Sequence, residues 1–339
     1  MPYTAKTYRR AQFLAYACPT LAITAPGSAK AVLPPVRKLT DPDERARVQR
    51  MFDVASFVKS QAPWRHDADV LKVFIAPEFY FRPQNAEKAY TFNRAINIIE
   101  CLHQLFGDST WADWLILPGT VFSALPGDAK QGSYPVVNNK GQHFSLEKAY
   151  LNTCVVVKGG GPGAPFHYVH KRQISHIDGA PQIEAAGINP LFRPTLEAWT
   201  ELKQRLFKVD NLTIGIDICK DHYDSELKNV VRVWPSREGT PAPSIHLHLV
   251  TSCGAQVQVN SVVAKQGGYI MHCDGVKNPD PWILTTLQRV ENFSLAGPAT
   301  LMNPIRSNWR KAIPSQSQIL TPKQFEDEAI CYPEVALVI

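Results

Sequence analysis

The stretch LTIGIDIC, residues 212 to 219, runs directly into KDHYDSE, residues 220 to 226, and it decides the fold class. An apolar, β-favouring run ends in Cys219, and polar residues typical of a helix start follow at once. A side chain at the carboxyl end of such a strand lies where open α/β sheets usually carry their sites. Cys219 is therefore a candidate nucleophile, whereas a lone cysteine of this kind is more commonly a small buried hydrophobic residue.

Segments typical of strands and helices alternate through most of the chain. We predict a first strand over residues 12–24. We predict helices that begin after Thr40 or Asp41 and after Ser225, and helices over residues 86–106 and 195–208. The segment between SIHLHLVTS and GYIMHCDG is also compatible with a helix. This alternation predicts one α/β domain over residues 1–339, with helices on the sheet faces. Residues 296–339 read as a looser tail that wraps the domain or meets another subunit.

The composition limits the classes of function. The chain has 339 residues and a net charge of +6, and its basic residues are scattered, which does not favour nucleic-acid binding. No apolar run approaches the roughly 20 residues of a membrane span. Seven cysteines without a C-x-x-C pair favour reduced thiols in a cytoplasmic protein. An export signal is an alternative for the N-terminal segment, and the buried strand is favoured.

Two further strands end in charged residues. KVFIAPE ends in Glu78 and FHYVHK ends in Lys171. A charged group after an apolar strand is costly to bury unless it has a partner or a function. Glu78, Lys171 and Cys219 therefore form a candidate site, and an ordinary salt bridge at a sheet edge is the alternative for the two charged residues.

These segments resemble the nitrilase superfamily of carbon–nitrogen hydrolases. Pro77-Glu78, Lys171 and the pattern G-x-x-I-C-x-D-x-x-x-x-E over residues 215–226 occur in the chain order of that family's Glu-Lys-Cys triad. Asn152 resembles the family's asparagine on the strand before the lysine. DGAPQIE resembles the segment that brings a second glutamate, here Glu184, to the site. The resemblance covers residues 10 to 290 or so.

The sequence departs from the family pattern at several positions. Lys220 stands where an aromatic residue usually follows the nucleophile, and Asp224-Ser225 replaces the usual Phe-Pro. The segment between Lys171 and Cys219 is long, so residues 188–208 resemble an insertion. These departures concern the substrate class more than the chemistry.

The resemblance implies a four-layer α-β-β-α sandwich and a thiol hydrolase. Glu78 would be the general base, Cys219 the nucleophile, and Lys171 would stabilise the developing charge, with Glu184 in support. The substrate would be a small amide, carbamoyl compound or nitrile with a non-peptide C–N bond, attacked through a thioester. The resemblance implies no cofactor or metal, and it implies a homodimer or larger homo-oligomer.

Other functions and contacts stay open at this point. Tyr80, Lys220, His222 and Ser252 follow the candidate residues or end a strand, so we expect them to line a substrate pocket. The same triad could transfer its acyl group to an amine, and a non-catalytic member would bind a ligand or partner. A metal hydrolase using His246 and His248 is a third alternative.

Overall fold

The computed structural model describes residues 2–20, 33–64, 67–83, 89–124, 134–137, 143–146, 150–173, 175, 197–276, 284–313 and 327–339. Its helices are α1 Pro34–Arg37, α2 Pro42–Gln61, α3 Phe92–Phe106, α4 Glu197–Lys203, α5 Lys220–Tyr223 and α6 Glu226–Glu238, with a 3₁₀ turn at Ser109–Trp111. Its strands are β1 Arg10–Ala17, β2 Val70–Ile75, β3 Tyr90–Thr91, β4 Trp114–Leu117, β5 Thr120–Ala124, β6 Tyr134–Val137, β7 His143–Leu146, β8 Tyr150–Lys158, β9 Phe166–His170, β10 Leu206–Val209, β11 Leu212–Ile218, β12 Ile245–Ser252, β13 Ala264–Asp274, β14 Thr286–Asn292, β15 Thr300–Leu301, β16 Trp309–Ile313, β17 Asp327–Cys331 and β18 Val335–Ala336.

The strands form two large sheets and one small pair. The first sheet follows the order β16-β17-β1-β2-β4-β8-β5-β3, with β18 also paired to β1 and β9 to β8. The second sheet follows chain order from β10 to β15, and β6 pairs with β7. Strands β1, β2 and β4 are parallel to one another, as are β11, β12 and β13.

The two large sheets pack face to face, because alternate side chains of each strand point to opposite faces. Phe13 and Val73 of the first sheet share one apolar cluster with Ile214, Leu249 and Met271 of the second. This cluster is the central layer of the molecule.

The outer sheet faces are covered by helices. Leu14 of β1 and Phe74 of β2 follow Phe13 and Val73 directly and point to the opposite face. They pack with Met51 of α2 and Leu102 of α3. On the second sheet, α6 packs its apolar side against β10 and β12. The four-layer α-β-β-α prediction is therefore confirmed.

The helix predictions are correct in part. Helix α2 begins where its sequence predicts, since the Asp41 side chain accepts from the backbone N–H groups of Asp43 and Glu44, at 2.8 and 3.4 Å. The predicted helix over 195–208 is too long: Leu206–Val209 is a strand that pairs antiparallel with β11. The segment between β12 and β13 forms bends and turns where a helix was considered.

The tail residues join the sheets. β15 pairs with β14, while β17 and β18 each pair antiparallel with β1. The tail therefore contributes strands to both large sheets. Among the described residues, no helix has the length and apolar character needed to cross a membrane.

Candidate active site

The three candidate residues come from the ends of strands in both sheets. Glu78 follows β2, Lys171 follows β9, and Cys219 follows β11. The end of β12 joins these segments: the backbone N–H of Glu78 donates to the Ser252 carbonyl at 3.3 Å, and that of Cys219 donates to the Thr251 carbonyl at 2.9 Å. The fold thus gathers side chains that are far apart in sequence.

The Glu78 carboxylate lies at the centre of the site. Its Oε1 accepts from the Lys171 ammonium at 2.8 Å and from the Asn152 side-chain amide at 2.8 Å. Glu78 is fully buried and Lys171 is 2% exposed. Two donors therefore stabilise the carboxylate at a position from which water is excluded.

Cys219 completes the cluster. Cys219 is 5% exposed, and its thiol lies close enough to Glu78 and Lys171 for both charges to act on it. Burial raises the pKa of the thiol well above its ordinary value, and the Glu78 charge raises it further; Lys171 and the Cys253 N–H oppose this. The resting group is thus a thiol that needs a base to become a nucleophile.

Two backbone positions at this site are strained. Cys219 has φ 47° and ψ −107°, and Phe79 has φ 62°, both in the positive-φ region that disfavours a side chain. Each such residue costs on the order of 1–3 kcal/mol, so the surrounding packing must enforce it. The Phe79 N–H donates to the Thr120 hydroxyl at 2.8 Å. The two sharp turns present Glu78 and Cys219 to one another.

Gly119 allows the β4–β5 turn to approach the Glu78 segment. It has φ 92°, and a Cβ there would lie 2.5 Å from the Pro77 carbonyl oxygen and 2.9 Å from Tyr80 Cβ. Only glycine avoids both the backbone strain and the clash. The turn thereby supports the position of Glu78.

Asp221 connects the segment of the cysteine to that of the lysine. Its Oδ1 accepts from the backbone N–H groups of Arg172 and Gln173, at 3.0 and 2.7 Å, directly after Lys171. Its Oδ2 accepts from Arg205 Nη2 at 2.7 Å. Burial raises the Asp221 pKa to about 6, while Arg205 opposes the shift. A single buried carboxylate therefore fixes Lys171 relative to Cys219.

His222 does not line the pocket as predicted. It is fully buried, and its Nδ1 lies 3.2 Å from Asp217 Oδ2. Its Nε2 accepts from the backbone N–H of Gln258 at 3.0 Å. Both ring nitrogens are therefore occupied away from the thiol, which argues against a Cys-His pair.

Asp217, His222 and His248 meet the spacing of a metal site but not its donor pattern. Their ligand atoms lie within 4.8 Å of one another. A metal-bound histidine normally donates its other ring N–H outward. Here the outward nitrogens face backbone N–H donors, Gln258 for His222 and Val263 for His248. These outward nitrogens, His222 Nε2 and His248 Nδ1, must therefore be hydrogen-bond acceptors. The other nitrogen of each ring then carries the hydrogen, which points at Asp217, and it has no lone pair to bind a metal.

The contacts of His246 and His248 also disagree with the metal-hydrolase alternative. His246 Nδ1 accepts from the Thr213 backbone N–H at 3.0 Å, whereas His248 Nε2 lies 3.1 Å from Asp217 Oδ2. The two histidines of this strand thus form separate hydrogen bonds and share no ligand position.

The other expected pocket residues also point elsewhere. Tyr80 is 5% exposed and its hydroxyl donates to the Arg47 carbonyl at 3.3 Å, because the turn at Phe79 directs it toward α2. The Lys220 ammonium lies 3.5 Å from Asp224 on its own short helix. Ser252 is fully buried against His272 and Asp274. Glu184 lies outside the described residues.

The structure adds residues that the sequence did not single out. The Phe79 ring centroid lies 5.5 Å from the Lys171 ammonium, and Phe79 packs with Phe122 and Cys253 in one small apolar cluster. Phe79 follows Glu78 directly, which is a usable sequence signal. Arg205 carries no such signal, because a lone arginine before a strand is normally a surface residue.

A cavity of about 410 Å³ lies beside the site but is not its pocket. Thr153, His170 and Lys171 contribute to its wall, together with Ile96 and Ile99 of α3. Neither Glu78 nor Cys219 is among its described lining residues. Asn152 points to Glu78 while its neighbour Thr153 lines this cavity, so the cavity lies on the other face of β8.

No family model and no curated protein matches this chain. Among solved structures, it is similar to Nit3 of Saccharomyces cerevisiae, a member of branch 10 of the nitrilase superfamily, with 13% identity, 98% of this chain and 93% of that chain covered, and a TM-score of 0.45. It is also similar to an amidase from Nesterenkonia sp., with 11% identity, coverage of 98% and 92%, and a TM-score of 0.40. A form of that amidase with the acetamide moiety of fluoroacetamide on its active-site cysteine matches at 10% identity, coverage of 97% and 93%, and a TM-score of 0.41.

Proposed function

We propose that this protein hydrolyses a non-peptide C–N bond of a small amide, carbamoyl compound or nitrile, with Cys219 as nucleophile. The observation that carries the proposal is the buried Glu78 side chain, which accepts from the Lys171 ammonium at 2.8 Å and whose charge acts on the nearby Cys219 thiol. A base, a cation and a nucleophile within one contact shell are the groups that acyl transfer requires.

The resting thiol determines the first step. Because its pKa is raised, Cys219 must lose its proton as it attacks, and Glu78 is the carboxylate whose charge acts on the thiol. The sulfur bonds to the carbonyl carbon while the C=O electron pair moves to oxygen. The Lys171 ammonium, and the Lys220 backbone N–H as the family resemblance suggests, stabilise that oxyanion.

The remaining steps return the enzyme to its starting state. Glu78 gives its proton to the leaving nitrogen, the C–N bond breaks, and a thioester on Cys219 remains. Glu78 then takes a proton from water, whose oxygen attacks the thioester carbon. The C–S bond breaks, the sulfur recovers a proton from Glu78, and the acid product leaves. A nitrile would first add the thiol and one water.

The surroundings support Glu78 as a base more than as one half of a structural salt bridge. A buried ion pair by itself contributes little or no net stability, because desolvation offsets the attraction. Here the pair also carries a thiol on a strained backbone position, a combination that stability alone does not explain. His222 offers no alternative base, since Asp217 and Gln258 occupy its nitrogens.

The test is a substrate screen read by mass. Short amides, carbamoyl compounds and nitriles are mixed with the protein, and the intact mass is measured after rapid acid quenching. We expect an acyl adduct on Cys219 that is absent in Cys219→Ala, and release of acid or ammonia. Product analysis with and without an added amine separates hydrolysis, which yields the acid, from acyl transfer, which yields a new amide. Turnover by Cys219→Ala equal to that of the native protein would overturn the proposal.

A further inference from the structure

Two buried threonine side chains hold the segment that carries Glu78, one on each side of it. Before Glu78, the Ala76 carbonyl accepts from the Thr251 hydroxyl at 2.9 Å. After Glu78, the Phe79 backbone N–H donates to the Thr120 hydroxyl at 2.8 Å. Thr251 is 1% exposed and Thr120 has no exposed surface. Glu78 therefore lies between two backbone groups that are each bound by a side chain distant in sequence.

Thr251 also reaches the candidate nucleophile, and it connects the two large sheets. It lies near the end of β12, and its side chain points to the same face as that of Leu249, toward the central layer. Its hydroxyl binds Ala76, which directly follows β2 of the first sheet. Its carbonyl accepts from the Cys219 backbone N–H at 2.9 Å. One residue thus links the segment of Glu78 to the segment of the thiol.

The backbone has little freedom between these bound groups and Glu78. Only Pro77 separates Ala76 from Glu78, and the proline ring fixes φ. The position of the Ala76 carbonyl therefore sets the direction in which the chain reaches Glu78. Phe79 follows Glu78 directly and has φ 62°, a strained conformation that persists only where surrounding contacts enforce it. Both hydroxyl contacts thus act on the backbone that orients the carboxylate.

We propose that Thr120 and Thr251 are positioning residues that hold Glu78 beside Cys219, where a general base is required. This inference rests on the proposed function, in which Glu78 takes the proton of Cys219. A purely structural role is the alternative, because the loss of any buried hydrogen bond leaves an unpaired polar group and weakens the fold. The two roles differ in one respect. A positioning residue acts through Glu78, whereas a structural residue acts whether or not that carboxylate is present.

The test measures the pH dependence of Cys219 alkylation by iodoacetamide, with the modified site identified by peptide mass. Thr120→Val and Thr251→Val each remove a hydroxyl but keep a β-branched side chain, and the charges of Glu78 and Lys171, which act on the thiol, remain. Each variant is measured alone and combined with Glu78→Gln. Alone, each should lower the midpoint of the rate–pH profile by about half a unit, toward that of Glu78→Gln. Combined with Glu78→Gln, neither should move the midpoint further.

Two kinds of control accompany these variants. Thr120→Ser and Thr251→Ser keep the hydroxyl, so both should keep the native midpoint. Thr213→Val replaces another buried threonine, near the start of β11, and should also leave the midpoint unchanged. Circular dichroism confirms that each variant is folded, and the two threonine positions are tested separately.

Each contrary result has a defined meaning. An unchanged midpoint in folded Thr120→Val or Thr251→Val overturns the inference for that residue. So does a shift of equal size with and without Glu78→Gln, because a general loosening that hydrates the thiol would act in both backgrounds. If Glu78→Gln itself left the midpoint unchanged, the carboxylate would not act on the thiol, and the proposed function would fail together with the inference.

Discussion

Two carboxylates in this protein, Glu78 and Asp217, are equally buried but have neighbours of different chemistry. Both have zero exposed surface, and both lie within a few residues of a sharp turn. Glu78 accepts from an ammonium, and its charge acts on a nearby thiol. Asp217 contacts two histidines, a backbone N–H and, at 3.7 Å, the guanidinium of Arg205. Burial alone therefore does not distinguish a reactive site from a structural one.

The difference lies in what the neighbouring groups can still do. Around Asp217, the ring nitrogens of both histidines already have partners on each side, and these hydrogen bonds hold the Asp217 pKa below its usual value. That carboxylate is a fixed anion. Beside Glu78, the Cys219 thiol keeps its proton because its pKa is raised, and it can give that proton to a base when it attacks a substrate. In the proposed function, the reactive cluster is therefore the one that has a movable proton.

The largest expected effect distinguishes Cys219 from the other buried thiols. Cys219→Ala should lower turnover by at least about a thousandfold, because no other group can form the thioester. Cys101→Ala, which removes a buried thiol from α3, should retain turnover. Both are measured as kcat/KM on the substrate that the screen identifies. Comparable losses in the two variants would remove the contrast between a reactive and a structural cysteine.

The next effect separates the two roles of Glu78. Glu78→Gln should lower turnover about 10²–10⁴-fold, because the general base is lost. The same change should shift the pH midpoint of Cys219 alkylation downward, because the Glu78 charge helps to raise the thiol pKa. Turnover and thiolate formation therefore change in opposite senses.

The matched control for this pair of measurements is Glu44→Gln, another buried carboxylate, which pairs with Arg94 on α3. It should change neither turnover nor the alkylation midpoint. A Glu78→Gln variant with an upward midpoint would contradict the assigned effect of the Glu78 charge on the thiol pKa.

A third effect is the contribution of Asp221 to the free energy of unfolding, which we expect to depend on pH. Its pKa is raised to about 6 from an unfolded value of 3.8, so the folded state binds a proton more tightly. The resulting stability is fully present below the unfolded pKa and is lost as the pH rises toward about 6. The difference in free energy of unfolding between native protein and Asp221→Asn should therefore change by about 3 kcal/mol between pH 3.5 and 7.

Urea unfolding at several pH values measures this difference, and subtraction cancels the carboxylates that the two proteins share. Asp53→Asn, a half-buried carboxylate on α2, provides a comparison at a more exposed position. A pH-independent difference for Asp221→Asn would show that its pKa is not raised in the folded state.

The sequence predicted the parts of the structure that follow from strand ends. Cys219 and Glu78 each close an apolar run, and parallel strands in packed sheets bring such ends together. The alternation of strands and helices predicted an α/β domain, and the resemblance to the nitrilase superfamily implied its four α-β-β-α layers. The extent of β10 was missed, because Leu206–Val209 is too short and too close to a helical segment for its period to be distinguished.

Side-chain direction was the part that the sequence could not supply. Tyr80 lies two residues after Glu78, yet the positive φ of Phe79 turns it to the opposite face. Ser252 ends a strand as Cys219 does, but the polar partners that bury it come from β13. Such contacts depend on long-range packing, so adjacency to a candidate residue is a weak guide to pocket walls.

The smallest expected effect concerns Asp217, the carboxylate held as an anion by its two histidines. It is the response of the melting temperature to a chelator or to added metal. If Asp217, His222 and His248 held a metal at a hundred times its dissociation constant, binding would stabilise the fold by about 2.7 kcal/mol. Their hydrogen bonds leave no lone pair for it, so EDTA or added Zn²⁺ should leave the melting temperature unchanged. His248→Leu should lower the free energy of unfolding by about 3 kcal/mol, with or without chelator, since it removes a donor from a buried charge. A chelator-dependent loss of stability in the native protein, absent in His248→Leu, would instead assign a metal to this cluster and reverse the distinction between the two carboxylates.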